Sequence, residues 1–165
     1  MPRLKTAVVV LGALQLLACH PRGAKYPLES APEDVRSGTV LTLKQNISLP
    51  AGSPDVYFQD QQLVAPTALR PSYPYCRFGL DDPASALREV QPSAFVVSNV
   101  EYDERSAGSA GEVVSATRMN LKTELGAKGY HMTCMLPASA GYARFITVPE
   151  IRGAVGEFFT VNPAK

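Results

Sequence analysis

The sequence has almost no excess charge of either sign, and this limits the class of partner. Its 165 residues carry 16 Lys and Arg against 15 Asp and Glu, a formal net charge of +1. Binding to nucleic acid requires clustered positive charge against the phosphates, so we expect no nucleic-acid partner. Low charge together with 14 Pro and 12 Gly disfavours a long helical bundle and favours short elements joined by turns.

Groups that perform catalysis or bind metals are also scarce. The chain has 2 His and 3 Cys, whereas a metal site needs several His, Cys or carboxylate ligands at one point. We find no phosphate-binding loop, no dinucleotide fingerprint and no G-x-S-x-G elbow, although residues 108–111 are one residue short of the last. We therefore expect a non-enzymatic protein with no catalytic residue, no metal and no cofactor.

No hydrophobic run is long enough to cross a bilayer. Arg3 and Lys5 are followed by an uncharged, largely apolar run, residues 6–17, and His20 stands shortly after it. About a dozen such residues behind a positive segment are typical of a signal peptide, whereas a spanning helix needs roughly 20. We predict that residues 1–18 form a signal peptide.

The run ends in Leu-Leu-Ala-Cys, residues 16–19, which resembles the lipobox of bacterial lipoproteins. In that motif a branched apolar residue stands three positions before the cysteine and a small residue stands directly before it. Leu16 fits the motif and disrupts an ordinary A-x-A cleavage site, and Leu17 is bulkier than the Ala, Ser or Thr usual in the middle. By pattern alone, the rest of the chain loosely resembles small envelope lipoproteins of Gram-negative bacteria.

The resemblance implies that Cys19 becomes the mature amino terminus. Its sulfur would carry a diacylglyceryl group and its amine a further acyl chain such as palmitate, and two chains already anchor a protein stably. The next residue is His20, not the Asp that resembles an inner-membrane retention signal. We therefore expect an outer-membrane protein that faces the periplasm, with the membrane, through its lipid, and another envelope protein or cell-wall glycan as partners.

Lipidation of one cysteine leaves one possible pair among the other two. If Cys19 carries lipid, then Cys76 and Cys134 remain, and the periplasm permits disulfides. Closing a loop of that length should stabilise the fold by roughly 4 kcal/mol on the chain-entropy argument. The alternative is a catalytic thiol, for which His131 is the one candidate base beyond the anchor.

The composition divides the remaining chain into a tether and one folded unit. Residues 19–37 contain prolines and scattered charges without apolar periodicity, which is typical of a flexible linker. Residues 38–165 alternate apolar and polar positions and contain frequent turn residues, a pattern typical of β-strands. Alternation places the following residues on apolar strand faces: Cys76, Phe78 and Leu80; Val96, Val100 and Tyr102; Thr117, Met119, Leu121 and Leu125; Tyr130, Met132, Cys134 and Leu136.

One helix is predicted near the carboxyl end. Thr147 and Glu150 have capping-box spacing with Pro149 in the first turn, and an apolar stripe follows at helical spacing: Ile151, Ala154, Val155 and Phe158. The fold class we predict is mainly β, a small antiparallel β-sandwich or barrel with one short C-terminal helix.

Three tyrosines form the candidate binding surface. Tyr73 and Tyr75 stand beside prolines, and Tyr57 precedes Phe58 in an earlier strand. Tyrosine provides amphipathic contact area at low ordering cost, as binding surfaces do. The alternative is that these rings pack beside the strand that carries Cys76.

Other functional candidates are weaker. His131 lies opposite Tyr130 and Met132 in strand parity, so we predict an exposed strand residue, with a His131-dependent hydrolase as an alternative. Glu101, Asp103 and Glu104 are interpreted as a solvated turn at a strand end. A further alternative is a carrier of small apolar ligands, which needs a barrel cavity of at least about 300 Å³.

Overall fold

The computed structural model describes residues 34–53, 55–82, 84–107, 112–123, 129–138 and 144–165. The predictions for the signal peptide, for Cys19, for most of the tether, for residues 108–111 and for Leu125 lie outside this range. Within it the chain is mainly antiparallel β-structure with one short helix near the carboxyl end, and the predicted fold class is confirmed. No helix in the described residues is long and apolar enough to cross a membrane.

The described elements follow one another as short strands with a late helix. Their bounds are β1 Val40–Leu43, β2 Ile47–Leu49, β3 Asp55–Gln59, β4 Gln62–Val64, a 3-10 turn Pro66–Ala68, β5 Tyr75–Leu80, β6 Arg88–Val90, β7 Ala94–Ala107, β8 Glu112–Thr123, β9 Tyr130–Ala138, α1 Val148–Val155 and β10 Phe159–Asn162.

Eight of these strands form one curled antiparallel sheet, a half-barrel. Their order across the sheet is β10-β1-β7-β8-β9-β5-β3-β4, while β2 and β6 pair separately. Helix α1 contacts β10 at one edge and β3 near the other. The Gln61 amide N–H, in the β3–β4 turn, donates to the Ala154 carbonyl at 2.9 Å. The helix therefore bridges the two ends of the curled sheet.

The hydrophobic core lies between α1 and one face of the sheet, which we call the core face. Its largest fully buried side chains include Phe58, Phe78, Phe95 and Phe159. Phe78 contacts Phe95 and Phe159 with ring centroids 5.5 and 5.2 Å apart, and Phe58 contacts Phe159 at 5.9 Å. Edge-on and tilted aromatic contacts of this kind stabilise a core beyond the area that they bury.

The helix begins as the sequence predicted. The carboxylate of Glu150 accepts hydrogen bonds from the Thr147 backbone N–H at 3.0 Å and from the Thr147 hydroxyl at 2.9 Å. The backbone N–H at the start of the helix, which would otherwise have no partner, is therefore paired. The predicted apolar stripe is confirmed through Val155, because Ile151, Ala154 and Val155 are buried. Phe158 lies beyond the helix end and packs against the core.

A β-bulge in β7 contradicts one prediction of which side chains share a face. The register of β7 with β8 shifts between Val97 and Asn99, because one extra residue there reverses the alternation of side chains. Val97 pairs with Leu121 on the core face, and beyond the bulge Val100 pairs with Met119 on the same face. The prediction that Val96 shares a face with Val100 is therefore wrong.

Ordered packing begins before the residues that composition assigned to the folded unit. Val35 is 2% exposed and belongs to the core. Asp34 and Thr147 form an isolated antiparallel β-bridge. The Tyr102 hydroxyl donates to the Val35 carbonyl at 3.0 Å. The last residues of the predicted tether, 34–37, are thus part of the folded body.

Candidate functional site

The face of the sheet opposite the core carries a row of polar and aromatic side chains. Directly paired residues on neighbouring strands share a face. The register therefore places on one face, from β7 through β8, β9 and β5 to β3, the residues Glu101, Arg118, Thr133, Arg77 and Tyr57. We call this side of the sheet the polar face.

A second row on the polar face contains a buried histidine. His131 pairs with Gly79, and Gly79 pairs with Asp55 on the next strand. His131 and Asp55 are thus two strand spacings apart, about 9.6 Å between backbones, yet the His131 Nε2 lies 2.8 Å from the Asp55 Oδ1. The two side chains meet above Gly79, because a glycine has no side chain to occupy that space.

His131 contacts a second carboxylate through its other ring nitrogen. Its Nδ1 lies 3.1 Å from the Asp81 Oδ1, and its side chain is 5% exposed. The prediction of an exposed strand residue is therefore wrong. Alternation correctly placed the ring away from the core, but neighbouring polar side chains cover it there. A neutral imidazole has one N–H, so only the imidazolium form donates to both carboxylates.

Each of the two carboxylates also forms an ion pair with its own arginine. The Arg77 guanidinium lies 3.2 Å from the Asp55 Oδ2, and the Arg118 guanidinium lies 2.7 Å from the Asp81 Oδ1. His131 therefore joins two ion pairs into the sequence Arg77–Asp55–His131–Asp81–Arg118, which we call the ion-pair chain. Each guanidinium contacts a carboxylate that in turn contacts the His131 ring, so the ion-pair chain restrains both arginines. Thr133 on β9 is paired with both of them and lies between them.

A cavity of about 250 Å³ opens at this position. We call it the central cavity, and its lining includes Arg77, Arg118, Thr133, Glu101, Asp103 and Met135. Thr133 is 3% exposed. Its Oγ1 and the Arg77 Nε are buried and have no hydrogen-bond partner among the residues that the structure describes. A buried polar atom without a partner costs about 1–3 kcal/mol, so the cavity wall carries two donors whose bonding capacity is unused.

An apolar groove of about 310 Å³ adjoins the polar face at its β3–β4 edge. Pro50, Val56 and Leu63 line it together with Tyr57, and Leu63 is 50% exposed. Tyr57 pairs directly with Arg77, which lines the central cavity. The apolar groove and the central cavity are therefore neighbours across one pair of strands.

The structure brings two of the three predicted tyrosines onto this face. Tyr57 and Tyr75 point to the polar face with Arg77, and Tyr75 pairs with Met135 of the central cavity. Tyr75 is half-buried, and this burial raises the pKa of its hydroxyl. Tyr73 is 50% exposed in the segment before β5.

Hydrogen bonds from Gln59 of β3 hold the segment that carries Tyr73 against the sheet. The Arg70 guanidinium lies 4.4 Å from the centre of the Tyr73 ring. The buried side-chain amide of Gln59 donates to the Arg70 carbonyl at 3.0 Å and to the Tyr73 carbonyl at 3.3 Å. Tyr73 therefore extends the aromatic end of the polar face beyond β5.

The predicted disulfide is confirmed, and it lies directly beneath the central cavity. Cys76 and Cys134 are paired residues on β5 and β9, with an S–S distance of 2.05 Å, and neither is exposed. A bonded sulfur is not a nucleophile, so the geometry does not fit the catalytic-thiol alternative. Arg77 and Thr133 are the adjacent pair in the same register. The covalent bond thus joins the two strands that present both unpartnered donors.

The predicted acidic turn is instead part of a strand. Glu101, Asp103 and Glu104 are exposed, as expected, but they lie within β7, and the first two line the central cavity. Within the described residues no group of three or more His, Cys, Asp or Glu side chains is arranged to hold a metal ion.

Comparisons of this chain with protein families, with curated proteins and with solved structures found no match.

Proposed function

We propose that this protein is a lipid-anchored, non-enzymatic binding module of the bacterial envelope, and that the polar face is its binding surface. The observation that carries the proposal is the buried hydroxyl of Thr133 in the central cavity, which has no hydrogen-bond partner among the described residues and lies between two arginines restrained by ion pairs. A ligand that accepts hydrogen bonds supplies the partner that this hydroxyl lacks. Exposed aromatic area at Tyr73 extends the same surface, and the exposed Leu63 lines the apolar groove at its edge.

Binding explains the position of His131 better than catalysis does. A general base needs a ring nitrogen within hydrogen-bond reach of the proton that it removes. Both nitrogens of His131 already face carboxylates, at 2.8 and 3.1 Å. We therefore assign His131 a positioning role, which holds Asp55 and Asp81 and through them the two arginines, and we do not favour the hydrolase alternative.

The predicted carrier with an internal barrel cavity does not fit, because the core is filled; a surface site for a small apolar ligand, in the apolar groove of about 310 Å³, is the second candidate. The groove is a surface depression beside β3 and β4. The space between the sheet and α1 is occupied by the phenylalanine cluster. An apolar ligand would therefore bind at the edge of the polar face.

The anchor is tested through Cys19. Cys19→Ser should abolish incorporation of labelled palmitate and release the protein from the membrane fraction, and globomycin should accumulate the uncleaved precursor. Unchanged labelling and membrane association in Cys19→Ser would contradict the proposed anchor.

The binding surface is tested by photo-crosslinking in intact cells. A benzophenone amino acid replaces Tyr57 or Tyr75 on the polar face, and the matched control carries it at Gly153. Gly153 is exposed on α1, which packs on the core face, and an added Cβ there meets no atom within 4 Å. We expect discrete adducts from both tyrosine positions and none from the control. Adducts from Gly153 alone, or from no position, would refute the polar face as the surface that binds an envelope macromolecule.

A further inference from the structure

We propose that the central cavity binds a small zwitterion, a molecule that carries one carboxylate and one ammonium group separated by a short chain and is about the size of a dipeptide. The inference rests on the proposed function, because it names the ligand class for the same face. A volume of about 250 Å³ is below the usual range of pockets for drug-sized ligands, so it suits a small molecule.

Arg77 and the two acids stand at opposite ends of the cavity lining, whereas Arg118 lies directly opposite Glu101 and its guanidinium is held by Asp81 at 2.7 Å. Two arginines and two acids contribute to the wall. Glu101 and Asp103 lie on β7, while Arg77 lies on β5, three strand spacings away in the sheet order, which is about 14 Å between backbones. A lone anion meets repulsion at the acidic end, and a lone cation meets it at the basic end. A dipolar ligand is attracted at both ends.

The basic end offers two donors to a carboxylate. The Thr133 Oγ1 and the Arg77 Nε have no partner among the described residues, and the two residues are directly paired on β9 and β5. A carboxylate has two oxygens that accept such donors, and hydrogen bonds between a guanidinium and a carboxylate are charge-assisted. The Arg77 Nη1 lies 3.2 Å from the Asp55 Oδ2, so the arginine is oriented before a ligand arrives.

The acidic end offers an oriented acceptor to an ammonium group. The Glu101 Oε1 accepts from the Asn120 side-chain amide at 2.8 Å and from the Asn99 side-chain amide at 3.1 Å. A carboxylate accepts at about four sites, so these two bonds leave capacity for a ligand N–H. The amides restrain Glu101 at the cavity rim, where a mobile glutamate would lose side-chain entropy on binding.

An apolar floor lies between the two ends. Ala116 and Met135 are paired on β8 and β9, and both line the cavity. A ligand whose charges are separated by methylene groups therefore places its chain against apolar atoms, while its ends reach Thr133 and Glu101.

The test uses three six-carbon probes that differ in which charged groups they carry. The full protein, purified in mild detergent, is titrated at pH 7 with 6-aminohexanoate, hexanoate or hexylammonium, and binding is measured by saturation-transfer NMR of the probe. We expect 6-aminohexanoate to have a dissociation constant at least about tenfold lower than either singly charged probe. Equal affinities, or tighter binding of a singly charged probe, would overturn the inference.

Two variants and a matched control locate the binding. Thr133→Val should weaken binding of 6-aminohexanoate by about tenfold, because it removes a donor without changing the side-chain shape. The control is Thr117→Val, since Thr117 is also buried and its hydroxyl also lacks a partner among the described residues, but it pairs with Cys134 on the core face. Glu101→Gln should remove the preference for 6-aminohexanoate over hexanoate. An equal loss of affinity in Thr117→Val would contradict the proposed position of the ligand.

Failure of the ligand class can be distinguished from failure of the binding surface. Crosslinking at Tyr57 and Tyr75 without any preference for the zwitterion would refute the inference and leave the proposed surface standing. Zwitterion binding that requires Thr133 and Glu101, without crosslinking in cells, would support the ligand class and contradict an envelope macromolecule as partner.

Discussion

The ion-pair chain predicts two unequal coupling energies at one histidine. His131 and Asp55 have side chains that are 5% and 4% exposed and contact at 2.8 Å. The Asp81 side chain is 44% exposed and lies 3.1 Å from the other ring nitrogen. Water screens an exposed carboxylate, whereas removing one partner of a buried pair leaves a charge without compensation.

We work the magnitudes from this difference in burial. Breaking a buried pair costs about 3–5 kcal/mol, and Asp55 keeps Arg77 as a second partner, which lowers the expected coupling of His131 with Asp55 to about 2–3 kcal/mol. Exposed pairs contribute about 0.2–1 kcal/mol, so we expect a coupling below about 1 kcal/mol between His131 and Asp81.

Double-mutant cycles measure both couplings. His131→Ala, Asp55→Ala, Asp81→Ala and the corresponding double variants are unfolded with urea at 25 °C and pH 5.5, and the cycle isolates each pairwise free energy. Asp82 is exposed and adjacent to Asp81 in sequence, so Asp82→Ala is the matched control, for which we expect no coupling to His131. Equal couplings for Asp55 and Asp81, or a larger one for Asp81, would refute the assigned roles.

Three further predictions concern the stability of the fold. Replacing Cys76 and Cys134 by alanine should lower the free energy of unfolding by about 4 kcal/mol, because the bond closes a loop with a sequence separation of 58 residues; an unchanged urea midpoint would contradict this. The Arg144 guanidinium lowers the pKa of Glu150 to about 2, so the charged carboxylate stabilises the helix start above its ordinary pKa and this stabilisation is lost as the pH falls toward 2. Thermal melts of Glu150→Gln and the unaltered protein should therefore differ at pH 7 and converge near pH 2, and a constant difference would argue against the ion pair. Gly153→Ala should raise the free energy of unfolding by about 0.5–1 kcal/mol, since Gly153 is an exposed helix position with open space for a Cβ, and a lower melting temperature would show hidden crowding.

Sequence reasoning predicted the faces of individual strands because side-chain alternation is local. Cys76, Phe78 and Leu80 are buried together as predicted, and so are Met132, Cys134 and Leu136. Alternation failed at β7, where the bulge reverses parity without any compositional sign. Turn residues and the capping-box spacing located the helix for the same local reason.

The candidate site was not predictable from local patterns, because its parts come from strands distant in sequence. Asp55 meets His131 only through the register of β3 with β5 and of β5 with β9. One signal was present: a disulfide between two neighbouring strands defines their register. Pairing Cys76 with Cys134 implies that Arg77 lies opposite Thr133 and that Gly79 lies opposite His131. Burial of the histidine also depends on polar neighbours, which hydrophobic patterning does not describe.

The position of the disulfide has a consequence for how the protein matures. A slip of one residue between β5 and β9 would turn Thr133 toward the core and separate it from Arg77. In a chain whose thiols are still reduced, only non-covalent forces oppose such a slip, namely the backbone hydrogen bonds and the burial of side chains such as Phe78 and Met132. Once the two sulfurs are joined, the slip requires breaking a covalent bond. Oxidation therefore fixes covalently the alignment that places Thr133 opposite Arg77.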